Sequence, residues 1–128
     1  MTSFMYKKYT IYDRLQQILE AIDIIEERCK DIHCADEFLL TPGGMMIFDS
    51  CVMRLQAIGE QVGKLLKEPE APFSGYETIP WRAIYDMRNL ISHEYMNIDE
   101  EIVFSTIKED LPSIRPVIIE LIQKFSTE

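Results

Sequence analysis

Basic side chains are scarce in this sequence. Among 128 residues, 13 Lys and Arg stand against 22 Asp and Glu, which gives a formal net charge of −9 at pH 7. Proteins that coat nucleic acid over a broad surface neutralise many phosphates with Lys and Arg, so the composition excludes that class. A local site for a single phosphodiester needs only a few cations, and the composition leaves such a site open.

Long apolar runs are missing as well. Spanning a bilayer takes roughly 18–20 apolar residues, whereas the run PVIIELI at 116–122 is short and is interrupted by Glu120. The N-terminal segment MTSFMYKKYTIYDRL lacks the apolar core of a signal peptide. We therefore expect a cytoplasmic protein with no membrane partner.

Cysteines are few and odd in number: Cys29, Cys34 and Cys51. In a reducing compartment they are most simply interpreted as free thiols. His33 lies beside Cys34, but no CxxC or HxxxH pair completes the ligand set that a zinc site needs. The sequence thus predicts neither a metal nor a cofactor.

Apolar residues, by contrast, are abundant at 47% and recur at helical spacing. The first stripe steps by four and three residues through Ile11, Leu15, Ile18, Ile22 and Ile25. Further stripes predict four more helices. The first runs through 47–65, and the second starts near Pro80 and is capped by Thr78. The third is capped by Asp99 and has Ile102 on its apolar face, and the fourth follows a break at Pro112. Residues 41–44 and 67–79 are predicted loops. The prediction is a single all-α domain over 1–128, an antiparallel four-helix bundle with an additional short helix.

Two glycines interrupt the second stripe. Gly59 and Gly63 lie four residues apart, and each costs about 1 kcal/mol of helix propensity relative to Ala. That cost is more easily understood if a neighbouring helix approaches closely there.

One segment, residues 86–95 (DMRNLISHEY), carries polar groups suited to chemistry. Arg88 and His93 are five residues apart, about 140° around a helix axis, which one long arginine side chain can bridge. Histidine exchanges protons near neutral pH, and arginine offers a permanent fork of donors to phosphate oxygens. The pair can cut an RNA phosphodiester without a metal, but an Arg and a His near a helix end are also ordinary capping residues.

The sequence around this pair resembles the HepT-like toxins of the HEPN superfamily. Arg88, His93 and Tyr95 match the RxxxxHxY signature of that family. The resemblance extends over residues 55–115 and includes the GE of IGEQVGKLL at 58–66, the PW and MRN of residues 80–89, and the ID and LP pairs at 98–99 and 111–112.

The resemblance implies a cytosolic RNase of a type VII toxin–antitoxin system, with Arg88 and His93 as the catalytic pair. It also implies a homodimer in which two such segments form one composite cleft. Tyr95 would be the tyrosine that receives AMP from an MntA-like nucleotidyltransferase antitoxin. On geometry alone, Asn89, Ser92 and Arg82 are candidates for orienting the RNA substrate.

An alternative remains open at this point. Asp86 and Leu90 stand where the family pattern has a small residue and a basic residue, and both changes weaken phosphate attraction. The chain would then be a catalytically weak or inactive HEPN subunit that binds a nucleotidyltransferase. In either case Trp81, Tyr85 and Phe104 are assigned to packing and His33 to no catalytic role.

Overall fold

A computed structural model describes residues 9–126. Part of the N-terminal segment considered for a signal peptide, residues 1–8, lies outside the described residues. Five α-helices, two 3-10 helices and one π-helical turn make up the regular structure of this part of the chain. In order, they are α1 Ile11–Arg28, a 3-10 helix Ala35–Phe38, α2 Pro42–Leu66, α3 Trp81–Glu94, a 3-10 helix Tyr95–Asn97, α4 Glu100–Ser105, a π-helical turn Thr106–Asp110 and α5 Leu111–Phe125.

The all-α prediction is confirmed, because residues 9–126 contain no strand. Helix α1 packs against α2 and α5, and α2 packs against α1 and α3. Neighbouring helices run antiparallel: Arg14 at the start of α1 bonds Gln61 near the end of α2, and Cys29 after α1 meets Cys51 in α2. None of the described helices is long and apolar enough to cross a membrane.

The predicted apolar stripes form the core. All five stripe residues of α1 are buried, and Leu15, Ile18, Ile22 and Ile25 are completely so. Trp81 stacks on Phe73 with ring centroids 3.8 Å apart, and its indole donates a 2.9 Å hydrogen bond to the Tyr76 carbonyl. The assignment of Trp81 to packing is therefore confirmed.

The helix starts correct two predictions. Residues 41–44 are not a loop: the Thr41 hydroxyl accepts a 2.9 Å bond from the Gly44 N–H, and Pro42 begins α2 where its missing N–H is not needed. Thr78 does not cap α3, because the helix starts later and Pro80 occupies the N-cap position without a side-chain bond. Asp99 caps α4 as predicted, accepting from the Glu101 N–H at 2.9 Å.

The predicted break at Pro112 is a π-helical turn within a continuous helical run from α4 to α5. Pro112 has no N–H to donate to the carbonyl four residues back, and its ring crowds that carbonyl. The helical turn contains one extra residue instead, so that the Leu111 N–H donates to the Thr106 carbonyl, five residues back. Ile102 was also placed wrongly: it is 51% exposed, while Val103 and Ile107 turn inward.

Candidate active site

Helix α3 lies very close to α2 at the two glycines, as predicted. A Cβ added at Gly59 would stand 2.9 Å from the Arg88 Cβ and 3.0 Å from the Ile84 carbonyl oxygen. A Cβ added at Gly63 would overlap the ring of Tyr85. Because Gly59 and Gly63 have no side chains, α3 and its polar segment can lie closer to α2 than any other residues at these positions would allow.

Arg88 is held in this contact. Its side chain is half-buried on α3, and Nη1 donates a 3.3 Å hydrogen bond to Oδ1 of Asn89. Its Nε atom is buried and has no hydrogen-bond partner among the described residues. Because buried donors are nearly always paired in folded proteins, this unpaired Nε is unusual and leaves Arg88 with an unused donor.

His93 lies on the last turn of α3 and is exposed. Its ring makes no hydrogen bond with any residue in 9–126, so nothing fixes its tautomer. The imidazole is thus accessible to a ligand from solvent, on the same helix as Arg88 and slightly more than one turn further along.

Two contacts with α2 fix the end of α3 around His93. Gln56 donates a 2.7 Å hydrogen bond to the Ser92 hydroxyl. The Tyr95 hydroxyl donates a 2.7 Å hydrogen bond to Oδ1 of Asp49. The Asp49 carboxylate favours the neutral phenol and raises the pKa of Tyr95 above its ordinary value. Tyr95 is nevertheless 45% exposed.

Of the candidates for orienting substrate, Asn89 contacts Arg88, whereas Ser92 contacts α2 instead. Arg82 forms an exposed ion pair with Asp86 at 3.8 Å, and its guanidinium lies 5.5 Å from the centre of the Tyr85 ring. Arg82 is therefore occupied by neighbours on its own helix. The assignment of Tyr85 and Phe104 to packing agrees with their half-buried positions against the core.

The structure adds cations that sequence reasoning missed. A small pocket of about 120 Å³ beside Arg88 is lined by Glu60, Gly63, Lys64, Lys67, Tyr85 and Arg88. Lys64 and Lys67 belong to α2 and its C-cap, more than 20 positions before Arg88 in the sequence. The only signal for them was the antiparallel pairing of α2 and α3, combined with Gly63 as the close contact.

The cysteines considered for a metal site do not form one cluster. Cys29 and Cys51 are buried with their sulfurs 3.1 Å apart, whereas Cys34 is exposed. The hydrogen bond with Cys51 lowers the pKa of Cys29 and raises that of Cys51. Within the described residues, no three His, Cys, Asp or Glu side chains lie close enough together to hold a metal ion.

Comparison with known proteins identifies the family of this chain. The sequence model of the family described as Ribonuclease HepT-like matches residues 18–121. The chain is 32% identical over 103 residues to a Thermococcus cleftensis protein named "Probable ribonuclease HepT", covering 80% of this chain and 87% of that one. It is 32% identical over 110 residues to a candidate RNase of Caldanaerobacter subterraneus subsp. tengcongensis, covering 86% of this chain and 92% of that protein.

A further relative is longer. A Methanocaldococcus jannaschii protein, named as a gamma-glutamylcyclotransferase and candidate RNase, is 29% identical over 120 residues; the match covers 94% of this chain but only 50% of that protein. No solved structure gives a significant match. An all-α bundle with an Arg–His helix end and a family match over most of its length defines the class: this chain belongs to the HepT-like family.

Proposed function

We propose that this chain is a metal-independent endoribonuclease of the cytoplasm. The observation that carries the proposal is the state of Arg88 and His93: a half-buried arginine with an unpaired Nε lies on the same helix as an exposed imidazole. Membership of a family described as Ribonuclease HepT-like supports it, as do relatives whose names give them as ribonucleases.

The chemistry uses the 2′-hydroxyl of RNA as nucleophile. Its oxygen attacks the adjacent phosphorus while the bond from phosphorus to the 5′-oxygen of the next nucleotide breaks. His93 takes the proton of the attacking hydroxyl or gives one to the leaving oxygen. Arg88 donates to the phosphate oxygens, whose negative charge increases in the transition state. The products are a 2′,3′-cyclic phosphate and a 5′-hydroxyl.

A homodimer would supply both proton transfers. One His93 acts as base and the second copy acts as acid when the two segments face each other across a two-fold axis. Support comes from α3, whose outer face is not covered by the described residues: Leu90 is 47% exposed, and Met96, just beyond the helix, is 88% exposed. Exposed apolar side chains around a polar site are typical of a surface that binds a partner.

The physiological role we propose is that of the toxin in a toxin–antitoxin pair. An MntA-like nucleotidyltransferase would neutralise it: the Tyr95 oxygen attacks the α-phosphate of ATP, pyrophosphate leaves, and AMP stays on the tyrosine. The exposure of Tyr95 supports this role. An added nucleotide two residues from His93 brings negative charge and bulk to the place where RNA phosphate binds.

The cleavage reaction is tested with DNA oligonucleotides that contain a single ribonucleotide, each of the four bases in turn, in the presence of a chelator. Cleavage should occur only after the ribonucleotide and leave a 2′,3′-cyclic phosphate. Equal cleavage of all-DNA strands contradicts the mechanism. No cleavage of any RNA, together with stable binding of a nucleotidyltransferase, favours the inactive partner subunit instead.

Modification is tested separately. Incubation with the cognate nucleotidyltransferase and ATP should add the mass of AMP in whole steps. A Tyr95→Phe protein that still gains this mass shows that the modified residue is another one.

A further inference from the structure

The pocket beside Arg88 has more basic than acidic side chains in its lining, although the chain as a whole is acidic. Lys64 and Lys67 line it together with Arg88, and Glu60 is its only acidic lining residue. Neither lysine forms an ion pair within residues 9–126. Three cations against one anion, on a chain of net charge −9, concentrate the attraction for a polyanion at one place.

The pocket has room for a phosphate group. Its volume of about 120 Å³ is well above the roughly 10–15 Å³ that a cavity needs, on the same measure, to hold one water molecule. Gly63 makes this space available, because a side chain there would displace the Tyr85 ring that forms one wall. Arg88 forms another wall of the pocket and lies on the same helix as His93.

We propose that Lys64 and Lys67, together with Arg88, form a subsite for an RNA backbone phosphate next to the one that is cleaved. The subsite rests on the proposed ribonuclease function and gives the RNA strand a direction across the protein. The RNA strand would start beside His93, pass Arg88 and continue along α2 toward the C-terminal end of that helix.

The helix geometry sets the length of this path. Gly59 contacts Arg88, and Lys64 and Lys67 lie five and eight residues beyond it, which is about 8 and 12 Å along the α2 axis at 1.5 Å per residue. A dinucleotide bound with its only phosphate at Arg88 and His93 has no second phosphate to reach the lysines. A longer strand has one. The lysines should therefore increase the cleavage of oligonucleotides but not of dinucleotides.

Binding is measured with an uncleavable 2′-O-methyl oligonucleotide at several salt concentrations. The Lys64→Ala/Lys67→Ala double variant should bind about 4- to 25-fold more weakly, at about 2- to 5-fold per lysine. The slope of log affinity against log salt should decrease by about 0.7 for each lost phosphate contact. Glu60→Gln removes the negative charge of the pocket. In contrast to the double lysine variant, it should bind the oligonucleotide more tightly than wild type.

Lys124→Ala is the matched control. Lys124 is also a last-turn lysine, but it lies on α5, which packs against α1. This variant loses one positive charge near a helix C-terminus, as each single lysine substitution does, and it should bind with the wild-type slope. If Lys64 and Lys67 only complement the helix dipole, the double variant will lose thermal stability and keep the wild-type affinity and slope, which overturns the subsite.

Cleavage separates this proposal from the ribonuclease itself. In the double variant, kcat/KM should fall several-fold on an oligonucleotide and stay unchanged on a dinucleotide. Equal losses on both substrates overturn the subsite while leaving the ribonuclease assignment intact. A wild-type protein that binds the uncleavable strand through the lysines but cuts no RNA refutes the ribonuclease and not the binding site.

Discussion

The hydroxyl of Tyr95 donates a 2.7 Å hydrogen bond to the carboxylate of Asp49, which lies 46 residues earlier in the chain. This bond joins the segment after α3 to the first half of α2. Three further contacts follow in order along the same two helices. They join Ser92 to Gln56, Arg88 to Gly59, and Tyr85 to Gly63. All four of these contacts join the segment from Tyr85 to Tyr95 to α2.

The Asp49 contact predicts how Tyr95 titrates. Loss of the phenolic proton breaks the bond and places two negative charges together, so the pKa of Tyr95 is raised. In Asp49→Asn the amide carries no charge, and the pKa of Tyr95 should fall toward its ordinary value. The measurement is the pH titration of phenolate absorbance, taken as the difference between each protein and the same protein carrying Tyr95→Phe. Identical difference curves would show that the bond does not form in solution.

The close contact at Gly59 predicts a loss of stability. In Gly59→Ala the new methyl meets the Arg88 Cβ at 2.9 Å and the backbone oxygen of Ile84 at 3.0 Å, and backbone cannot move aside cheaply. Overpacking of this kind costs about 1–3 kcal/mol of unfolding free energy, which denaturant titration measures.

Gly43→Ala is the matched control for that substitution. Its Cβ meets nothing nearer than the Thr41 hydroxyl at 3.9 Å, so stability should stay level or rise by up to about 1 kcal/mol through helix propensity. Equal stability of the two variants would mean that α3 is not in close contact at Gly59.

Asp110 predicts a pH dependence of folding. Although Asp110 as a whole is exposed, it lines an apolar cavity of about 310 Å³ between α2, α3 and the start of α5, and desolvation, followed by the charge of Glu109, raises its pKa. The folded state therefore holds this proton more tightly than the unfolded state. Its contribution is fully present below the ordinary carboxyl pKa and is lost as pH rises through the raised value.

Asp110→Asn removes this dependence. The variant should be more stable than wild type near pH 7, and the difference should vanish at about pH 3, where both forms are uncharged. Thermal unfolding across that range is the measurement. A variant that is less stable than wild type at neutral pH would show that the carboxylate makes a favourable contact there.

Sequence patterns over a few residues correctly predicted the features that depend on residues near each other in the chain, such as the buried face and the cap of a helix. The spacing of Ile11 to Ile25 was sufficient to find the buried face of α1, and Asp99 followed from its place before two acidic residues. The glycine pair predicted a close helix contact correctly because only proximity compensates for two glycines in a helix. Arg88, His93 and Tyr95 were predicted as site residues because they are close together in sequence and match the RxxxxHxY signature.

The rest depends on contacts between distant residues. Asp49, Lys64 and Lys67 carry no local signal, since an acid or a lysine on the exposed side of a helix is ordinary. Only the register of α2 against α3 brings them to the site. The ion pair of Arg82 with Asp86 was not predicted either, because it depends on side-chain positions that spacing does not determine. The π-helical turn was missed because proline indicates a disturbance without saying whether the helix stops or widens.

The two histidines provide the most direct test of the account, because both are exposed and only one belongs to the proposed site. The rate of RNA cleavage in the presence of a chelator is compared for wild type, His93→Ala and His33→Ala. Loss of an acid–base group costs about 100- to 10,000-fold in rate, so His93→Ala should lose at least 100-fold while His33→Ala keeps the wild-type rate. Cleavage by His93→Ala at the wild-type rate would contradict the assignment of this helix end as the active site.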